Sequence, residues 1–416
     1  MFSGLLLVAV GVFLVVLGYP VDRIGFIVKG IMWRAASSWE VAAIPIFILM
    51  GEIIYRTDLS ERIFRGLAPL VDWLPGRLLH TNIAGCTLFA AVSGSSAATT
   101  ATIGKITTTA LFDRGYDRSL AVGSLAGAGS LGLLIPPSIV MILYGILAEV
   151  SIARLFAAGV IPGLFAAGLF SAYIAFVALL RPSVMPGEAP RYTARDRLRG
   201  LVDLAPVVLL IVVVLGSIYT GFATPSEAAA IGFAGTVAIT LALRRLTVSI
   251  FVASLMSTIA ISAMVVSILV SAAVLSTAMG YAHVPREMAA AIGSLELTPF
   301  QLIAVLSAFY ILLGLFLDGI SITVMTLPIT LPLVVAAGWD PVWFGIFLVL
   351  MVELAQITPP VGFNLFVMQG LTGWQIGRIA VAALPFFLLM GVAVVAITVF
   401  PGIVLWLPDQ IWQPRN

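Results

Sequence analysis

Charged residues are scarce in this sequence. Aspartate, glutamate, lysine and arginine make up 10% of its 416 residues, whereas hydrophobic residues make up 61% and the mean hydropathy is +1.15. A soluble domain carries about 25% charged residues, so the composition predicts an all-α protein that crosses a membrane several times. The net charge is only +2 and no basic stripe is present, so no nucleic-acid partner is expected.

Cysteine and histidine are nearly absent as well. The single cysteine, Cys86, allows neither a disulfide within the chain nor a thiolate metal site, and we expect it to be a small buried residue. The two histidines, His80 and His283, are far apart and have no cluster of cysteines or carboxylates beside them. A catalytic zinc site is therefore not expected.

What the chain does have is a series of long apolar runs. The first, from Gly4 to Tyr19, has no basic start and no small-residue cleavage site, which indicates a retained membrane helix rather than a signal peptide. Since a span needs about 20 residues, the candidate spans lie near 3–20, 24–40, 41–57, 119–148, 155–180, 203–221, 224–244, 247–280, 341–370 and 376–407.

Four of the apolar regions are interrupted. Regions 80–112 and 298–336 are broken by Ser93-Gly94-Ser95-Ser96 and by Asp318-Gly319-Ile320-Ser321, and we interpret both as re-entrant helical hairpins. The spans 119–148 and 341–370 contain Pro136-Pro137 and Pro359-Pro360, and paired prolines break a helix. At membrane depth such a break is tolerated where it is packed in protein or lines a watery site, and its free carbonyls and N–H groups suit a cation and an anion.

The most polar stretch, residues 181–200, divides the chain near its middle. It holds five arginines, two acidic residues and three prolines. A short arginine-rich loop is normally cytoplasmic. We therefore divide the chain into a first half, 1–180, a cytoplasmic linker, 181–200, and a second half, 201–416.

The two halves contain an internal repeat. The motif Gly115-Tyr116-Asp117, the first double proline and Pro162 are each followed, at one constant spacing along the chain, by Gly338-Trp339-Asp340, the second double proline and Pro385. The hairpin tips, at Gly94 and Gly319, follow nearly the same spacing. Two repeats that each hold a hairpin and a broken helix are typical of secondary transporters, and we expect them to be inverted.

The first tip is rich in small and hydroxyl-bearing residues. Small residues let the backbone approach an ion closely, and hydroxyls and carbonyls are the hard oxygens that a cation such as sodium prefers. Ser95 and Ser96 are candidate substrate contacts. The alternative interpretation is a small-residue contact between helices in lipid.

The second tip carries a carboxylate, Asp318, with no basic residue within thirty positions. A carboxylate inside the membrane is costly and predicts a functional site, although hydroxyls or a helix N-terminus would also satisfy it. The second break adds Thr358 and Asn364 as oxygen donors, and Asn364 is a third candidate substrate contact.

Three glutamates lie in or beside apolar segments. Glu52 and Glu353 are candidates for proton relay, and the alternative is that each caps or pairs with a neighbouring helix. For Glu227 the structural interpretation comes first. Thr224, Pro225 and Glu227 occupy the N-cap, N1 and N3 positions of a predicted helix start.

Several of these segments resemble the large membrane subunit, or DctM-type subunit, of the tripartite ATP-independent periplasmic (TRAP) transporters. The resemblance lies in SGSSAATTATIG, RGYDRSLAVGSLAGAGSLGLLIPPSIVMILYG, SIARLFAAGVIPG, GFATPSEAAA and GWDPVWFGIFLVLMVELAQITPPVGFNLFV. They occur in the family's order across nearly the whole length. The residues after Asp318 depart from the family, where a bulkier apolar residue often follows the aspartate.

The resemblance implies a non-enzymatic, sodium-driven carrier in the bacterial inner membrane that works by an elevator mechanism. It also implies a separate four-helix membrane subunit and a periplasmic binding protein that delivers a small organic acid. Carried onto this chain, it places one Na+ site at carbonyls around Ser93, Gly132, Ile135 and Pro137 and another near Gly314, Asp318 and Thr358.

Other functions are weaker on this sequence. An autonomous sodium–anion symporter of the same broad fold would share the hairpins and breaks but need no binding protein. An intramembrane enzyme would need a nucleophile with a nearby base, and no His–Ser or His–Cys arrangement is visible. A passive channel would not need the paired breaks.

Overall fold

The protein is helical throughout the part that the computed structural model describes, which is residues 7, 10–12, 14, 15, 18, 20–187, 192–284, 286–288 and 297–412. No β-strand occurs among these residues, so the prediction of an all-α protein is confirmed. Most of the candidate span 3–20 and residues 188–191 of the linker lie outside the described residues.

The order of elements follows the sequence repeat. The α-helices are Val21–Ser37, Ala43–Arg56, Leu59–Val71, His80–Ser93, Ser96–Asp113, Arg118–Gly129, Ile139–Leu147, Ile152–Leu180, Ala194–Tyr219, Pro225–Ala242, Val248–Tyr281, Pro299–Gly314, Gly319–Ala336, Pro341–Gln356, Phe363–Thr372, Ile376–Val399 and Gly402–Ile411. Short 3-10 turns cover Trp39–Ala42, Arg77–Leu79, Ser130–Gly132 and Pro182–Val184.

Membrane-crossing length is reached by six of the described helices. They are Ile152–Leu180, Ala194–Tyr219, Pro225–Ala242, Val248–Tyr281, Gly319–Ala336 and Ile376–Val399. The bent pair Asp22–Ser37 and Trp39–Arg56 brings the number to seven if it forms one span. The sequence predicts two spans here, 24–40 and 41–57, and in the structure the two helices meet at a bend of 46°. The prediction of a multi-pass membrane protein is confirmed.

Helix starts are set by local capping. Thr193, Thr224 and Thr298 each accept a hydrogen bond from the N3 backbone N–H, and the N3 side chain bonds back to the threonine N–H. Such reciprocal caps satisfy donors that a helix start leaves free. The prediction for Thr224, Pro225 and Glu227 is confirmed.

Each half contains two helices joined by a tight turn, followed by a helix in two pieces. In the first half, His80–Ser93 packs against Ser96–Asp113, and the piece Arg118–Gly129 is separated from Ile139–Leu147 by the double proline. In the second half, Pro299–Gly314 packs against Gly319–Ala336 and is followed by Pro341–Gln356 and Phe363–Thr372. We call these elements the first and second hairpins and the first and second broken helices.

The equivalent residues at the two hairpin tips are Ser95 and Asp318. Each is the N-cap of the returning helix, and its side chain accepts backbone N–H groups of that helix. Their spacing along the chain is identical to that of the capping residues Asp117 and Asp340. The cap positions therefore follow the constant spacing, from which the spacing of Gly94 and Gly319 differs by two residues.

The two hairpins open toward opposite ends of the long helix Ile152–Leu180, which is about 43 Å long. Near its C-terminal end, the N–H of Asp117 donates to the carbonyl of Val184 across 2.9 Å, so the base of the first hairpin lies there. Near its N-terminal end, the hydroxyl of Tyr144 donates to the carbonyl of Pro341 across 2.6 Å, close to the base of the second hairpin.

Candidate functional site

The first hairpin tip lies directly on the first break. A Cβ atom added to Gly94, whose φ is +59°, would lie 2.7 Å from the carbonyl oxygen of Pro137. A Cβ added to Gly132 would lie 2.5 Å from Cα of Ser96. No side chain fits at either position. The structure thus brings the predicted residues Gly132 and Pro137 into contact with the tip, beside the predicted residue Ser93.

Oxygen atoms are concentrated at this tip. The Ser93 and Thr99 hydroxyls are 2.9 Å apart, and the Thr99 hydroxyl also donates to the Ser95 carbonyl across 2.7 Å. Ser95 itself caps the returning helix by accepting the N–H of Ala98. The side chain of the predicted residue Ile135 lies against Gly163 of the long helix, whereas the prediction concerns its backbone carbonyl.

The second tip lies on the end of helix Pro341–Gln356. A Cβ added to Gly314 would overlap Cβ of Ala355, and one added to Gly319 would overlap a methyl of Val352. Asp318 is half-buried and accepts the N–H groups of Ile320 and Ser321 across 3.1 and 3.3 Å. Its carboxylate is therefore satisfied by a helix N-terminus.

Thr358 follows that helix end directly. Its hydroxyl donates to the Leu354 carbonyl across 2.6 Å, and its own carbonyl accepts the N–H of Gly362 across 2.9 Å. The carbonyls of Gln356 and Thr358 both lie within 3 Å of a Cβ added to Gly362, so they converge on the break. The second set of predicted residues therefore surrounds one helix end.

A buried polar network joins the two halves at the centre. The Ser96 hydroxyl lies 2.9 Å from the Gly129 carbonyl and 3.2 Å from Oδ1 of Asn364, whose amide nitrogen lies 2.8 Å from the same hydroxyl. Oε1 of Glu353 accepts the N–H of Leu133 in the first break across 2.6 Å. Ser96, Asn364 and Glu353 are almost completely buried.

One oxygen of this network has no partner. Oε2 of Glu353 is buried and forms no hydrogen bond within the described part of the chain. Glu353 is a buried acid, as the sequence predicts, whereas its partner could not be predicted because Leu133 lies 220 residues earlier. Glu52 has a local partner, because it forms an ion pair with Arg56 of its own helix across 2.9 Å. Cys86 is buried, as predicted.

The two breaks differ in exposure. All residues from Leu131 to Gly145 are buried, whereas Pro359 and Pro360 are exposed and Thr358 is half-buried. The first break is therefore packed in protein, and the second reaches the surface of the chain.

The donors at both tips are hydroxyl, amide, carboxylate and carbonyl oxygens. In the described ranges, no three His, Cys, Asp or Glu side chains come together as a metal cluster. Oxygens released at helix breaks suit a monovalent hard cation. Glycines at the contacts leave room for backbone alone, so backbone oxygens of tip and break come close together. The residues therefore fit a sodium ion.

A hydrophobic helical chain with two hairpin tips on two broken helices belongs to the class of multi-pass membrane transporters. The model of the family "Tripartite ATP-independent periplasmic transporter, DctM component" matches residues 1–403, and the chain belongs to that family. The role of this family is that of a transporter permease subunit and is not enzymatic.

Two relatives and one solved structure illustrate the similarity. The C4-dicarboxylate TRAP transporter large permease protein DctM of Pseudomonas aeruginosa is 32% identical over 381 residues, which are 91% of this chain and 88% of that protein. The isethionate TRAP transporter permease protein DctMQ of Oleidesulfovibrio alaskensis is 31% identical over 96% of this chain and 62% of its own length. The crystal structure of the Alcanivorax borkumensis YdaH transporter has a similar fold, with a TM-score of 0.66, 14% identity and coverage of 92% and 89%.

Proposed function

We propose that this chain is the sodium-coupled carrier subunit of a TRAP system in the bacterial inner membrane, and that it takes up a small organic acid. The observation that carries the proposal is the seating of each hairpin tip on a broken helix of a family member. Broken helices provide carbonyl ends for sodium and N–H ends for an anion.

The proposed sodium sites are those of the sequence analysis. One uses carbonyls around Ser93, Gly132, Ile135 and Pro137, and the other uses Gly314, Asp318 and Thr358. The glycine contacts at both tips support these positions, because they bring backbone oxygens of tip and break close together. Bound sodium would supply positive charge beside the substrate anion.

The proposed substrate contacts are Ser95, Ser96 and Asn364. Their position supports this role, since Ser96 of the first tip and Asn364 of the second broken helix meet between the halves. The names of the relatives include a C4-dicarboxylate and isethionate, both small organic anions, which supports the same substrate class here.

The proposed mechanism is an elevator movement between inverted repeats. The hairpins and broken helices would move as one unit against a scaffold that includes Ala43–Arg56 and Val248–Tyr281. The close approach of Gly51 to the backbone of Ser93 supports a sliding contact, because no side chain of Gly51 blocks it. Sodium would act by binding one conformation better than the other.

The proposed partners are a small four-helix membrane subunit and a periplasmic binding protein. The greater length of the DctMQ relative supports the first, because the similarity covers only 62% of that protein and the remainder would hold the small subunit. Membrane lipid surrounds the exposed apolar helices.

Thermal unfolding of the purified protein in sodium, potassium and choline chloride at equal ionic strength tests the sodium sites. Sodium should raise the melting temperature most, because it binds the folded state. Asp318→Asn should reduce that rise and leave the basal melting temperature nearly unchanged, since asparagine also caps helices. Asp409→Asn is the matched control, because Asp409 is exposed and pairs only with Arg154. Equal shifts in sodium and potassium would refute the proposal.

Purification from native membranes in mild detergent tests the partners. A co-purifying protein with about four membrane spans, together with a binding protein encoded nearby, is the expected result. If the chain is isolated alone and no such genes lie beside its own, the autonomous symporter becomes the better explanation, and the sodium sites remain.

A further inference from the structure

A cavity of about 780 Å³ lies beside the first hairpin, away from the two tips. Its walls are the end of helix Ala43–Arg56, the following helix Leu59–Val71, the returning helix of the first hairpin, and the start of Val248–Tyr281. Its volume is within the range of about 300–1,000 Å³ that small-molecule sites occupy. Its lining contains the hydroxyl groups of Tyr55, Thr57, Ser60, Thr102 and Ser249.

Lysine is rare in this chain, and one of its two lysines lines this cavity. Lys105 is the only basic residue of helix Ser96–Asp113, whereas Lys29 lies on the exposed side of helix Val21–Ser37. Nine residues separate Lys105 from Ser96, so its Cα is about 13 Å below the tip. Lys105 is exposed, so its ammonium group is accessible from the cavity.

Two other charges of the cavity, Arg56 and Asp58, have partners. Arg56 is bound to Glu52 across 2.9 Å and to the Ser257 hydroxyl across 2.7 Å. Asp58 is paired with Arg62 across 3.6 Å and with Arg245 across 3.2 Å.

Two further charged residues of the cavity, Glu61 and Arg65, lie four positions apart on one helix, and neither forms an ion pair among the described residues. No acidic residue in the described ranges comes within ion-pairing distance of Lys105. The three side chains of the cavity without an ion pair, Glu61, Arg65 and Lys105, therefore give it a net charge of +1.

We propose that Lys105 binds an anionic carboxylate or sulfonate group in this cavity, as a waiting position for the substrate between the first tip and the solution at the open end of the hairpin. The proposal rests on the proposed function, because it assumes that the cargo is an organic anion. A cation between low-dielectric walls raises the local concentration of anions. Thr102, one turn nearer the tip, also lines the cavity, and its hydroxyl donates to the Ala98 carbonyl across 2.6 Å.

Amine acylation of the intact protein tests this proposal without any substitution. The protein is placed in nanodiscs of phosphatidylcholine and treated with a water-soluble succinimidyl ester, and modification of each lysine is measured by mass spectrometry. Succinate and ethanesulfonate should slow acylation of Lys105 by about threefold relative to chloride at equal ionic strength, as expected for a charge pair in an accessible site. Lys29 should react at an unchanged rate and is the internal control.

The outcomes separate the possible occupants. Equal rates at Lys105 in succinate, ethanesulfonate and chloride would overturn the proposal. Protection by phosphatidylglycerol in the nanodisc, with no effect of either soluble anion, would assign the cavity to a lipid headgroup and also overturn it. Stabilisation by succinate that is lost in Lys105→Gln and retained in Lys29→Gln would support it.

Sodium separates this proposal from the carrier function. Protection of Lys105 that is equal in sodium and potassium would support the anion site and count against sodium coupling. Sodium-specific stabilisation of the protein without protection of Lys105 would overturn the anion site and leave the proposed function intact.

Discussion

Glu353 of the second broken helix accepts a hydrogen bond from the backbone N–H of Leu133 in the first break, with 2.6 Å between Oε1 and N. Leu133 lies next to Gly132, on which the first hairpin tip is seated. The contact therefore fixes the first break from the other half of the chain. Both groups are buried, so water does not replace the bond when one partner is lost.

Glu353→Ala should lower the free energy of unfolding by about 1–3 kcal/mol, because it leaves the N–H of Leu133 buried without an acceptor. Glu353→Gln should lose less, since its side-chain oxygen still accepts that bond. Denaturant titration of the purified variants measures both values. Equal losses in the two variants would show that the hydrogen bond to Leu133 is not the source of the stability.

Ser96 and Asn364 should be energetically coupled across the two halves. Ser96→Ala and Asn364→Ala each remove one partner of the same buried contact, so the double variant should lose less than the sum of the single losses, by about 0.5–3 kcal/mol. A double-mutant cycle of unfolding free energies measures this coupling. The control cycle pairs Asn364→Ala with Thr193→Ala at a distant helix start, and it should be additive.

Gly132→Ala should displace the first tip, because the added Cβ would lie 2.5 Å from Cα of Ser96. We expect a loss of stability of about 1–3 kcal/mol from this overpacking, together with a loss of the sodium-dependent rise in melting temperature. Gly168→Ala is the matched control, since nothing lies within 4 Å of its added Cβ. A normal sodium response in Gly132→Ala would argue against a sodium site at this contact.

Thr224→Ala should loosen the start of helix Pro225–Ala242 by about 0.5–2 kcal/mol, because it removes the N-cap of a reciprocal cap. Hydrogen exchange of the first-turn amides measures the effect locally. Thr193→Ala should do the same at helix Ala194–Tyr219 and leave the amides after Thr224 unchanged. Faster exchange at both sites in either variant would contradict a purely local role.

The sequence predicted the features that local chemistry determines. Paired prolines, a threonine cap followed by proline and glutamate, and a rare intramembrane aspartate have the same meaning in most surroundings, and the structure places each at a break, a helix start or a tip.

Contacts between distant segments could not be predicted in this way. Three such contacts are Gly51 with Ser93, Glu353 with Leu133 and Asn364 with Ser96. They depend on how separate parts of the chain pack together, and no spacing in the sequence predicts that packing. The Lys105 cavity was missed for the same reason, since four separate helices form it.

The spacing along the chain from Ser95 to Asp318, the two cap positions, equals the spacing from Pro162 to Pro385, the two helix prolines. The helices between these landmarks nevertheless end at different points in the two halves. Between these landmarks neither half has gained or lost a residue relative to the other. A single inserted residue would turn the rest of a helix by about 100° and advance it by about 1.5 Å, so the oxygens of the break would face elsewhere. The length of this stretch is therefore set by the geometry of the break, and insertions are expected to be tolerated outside it.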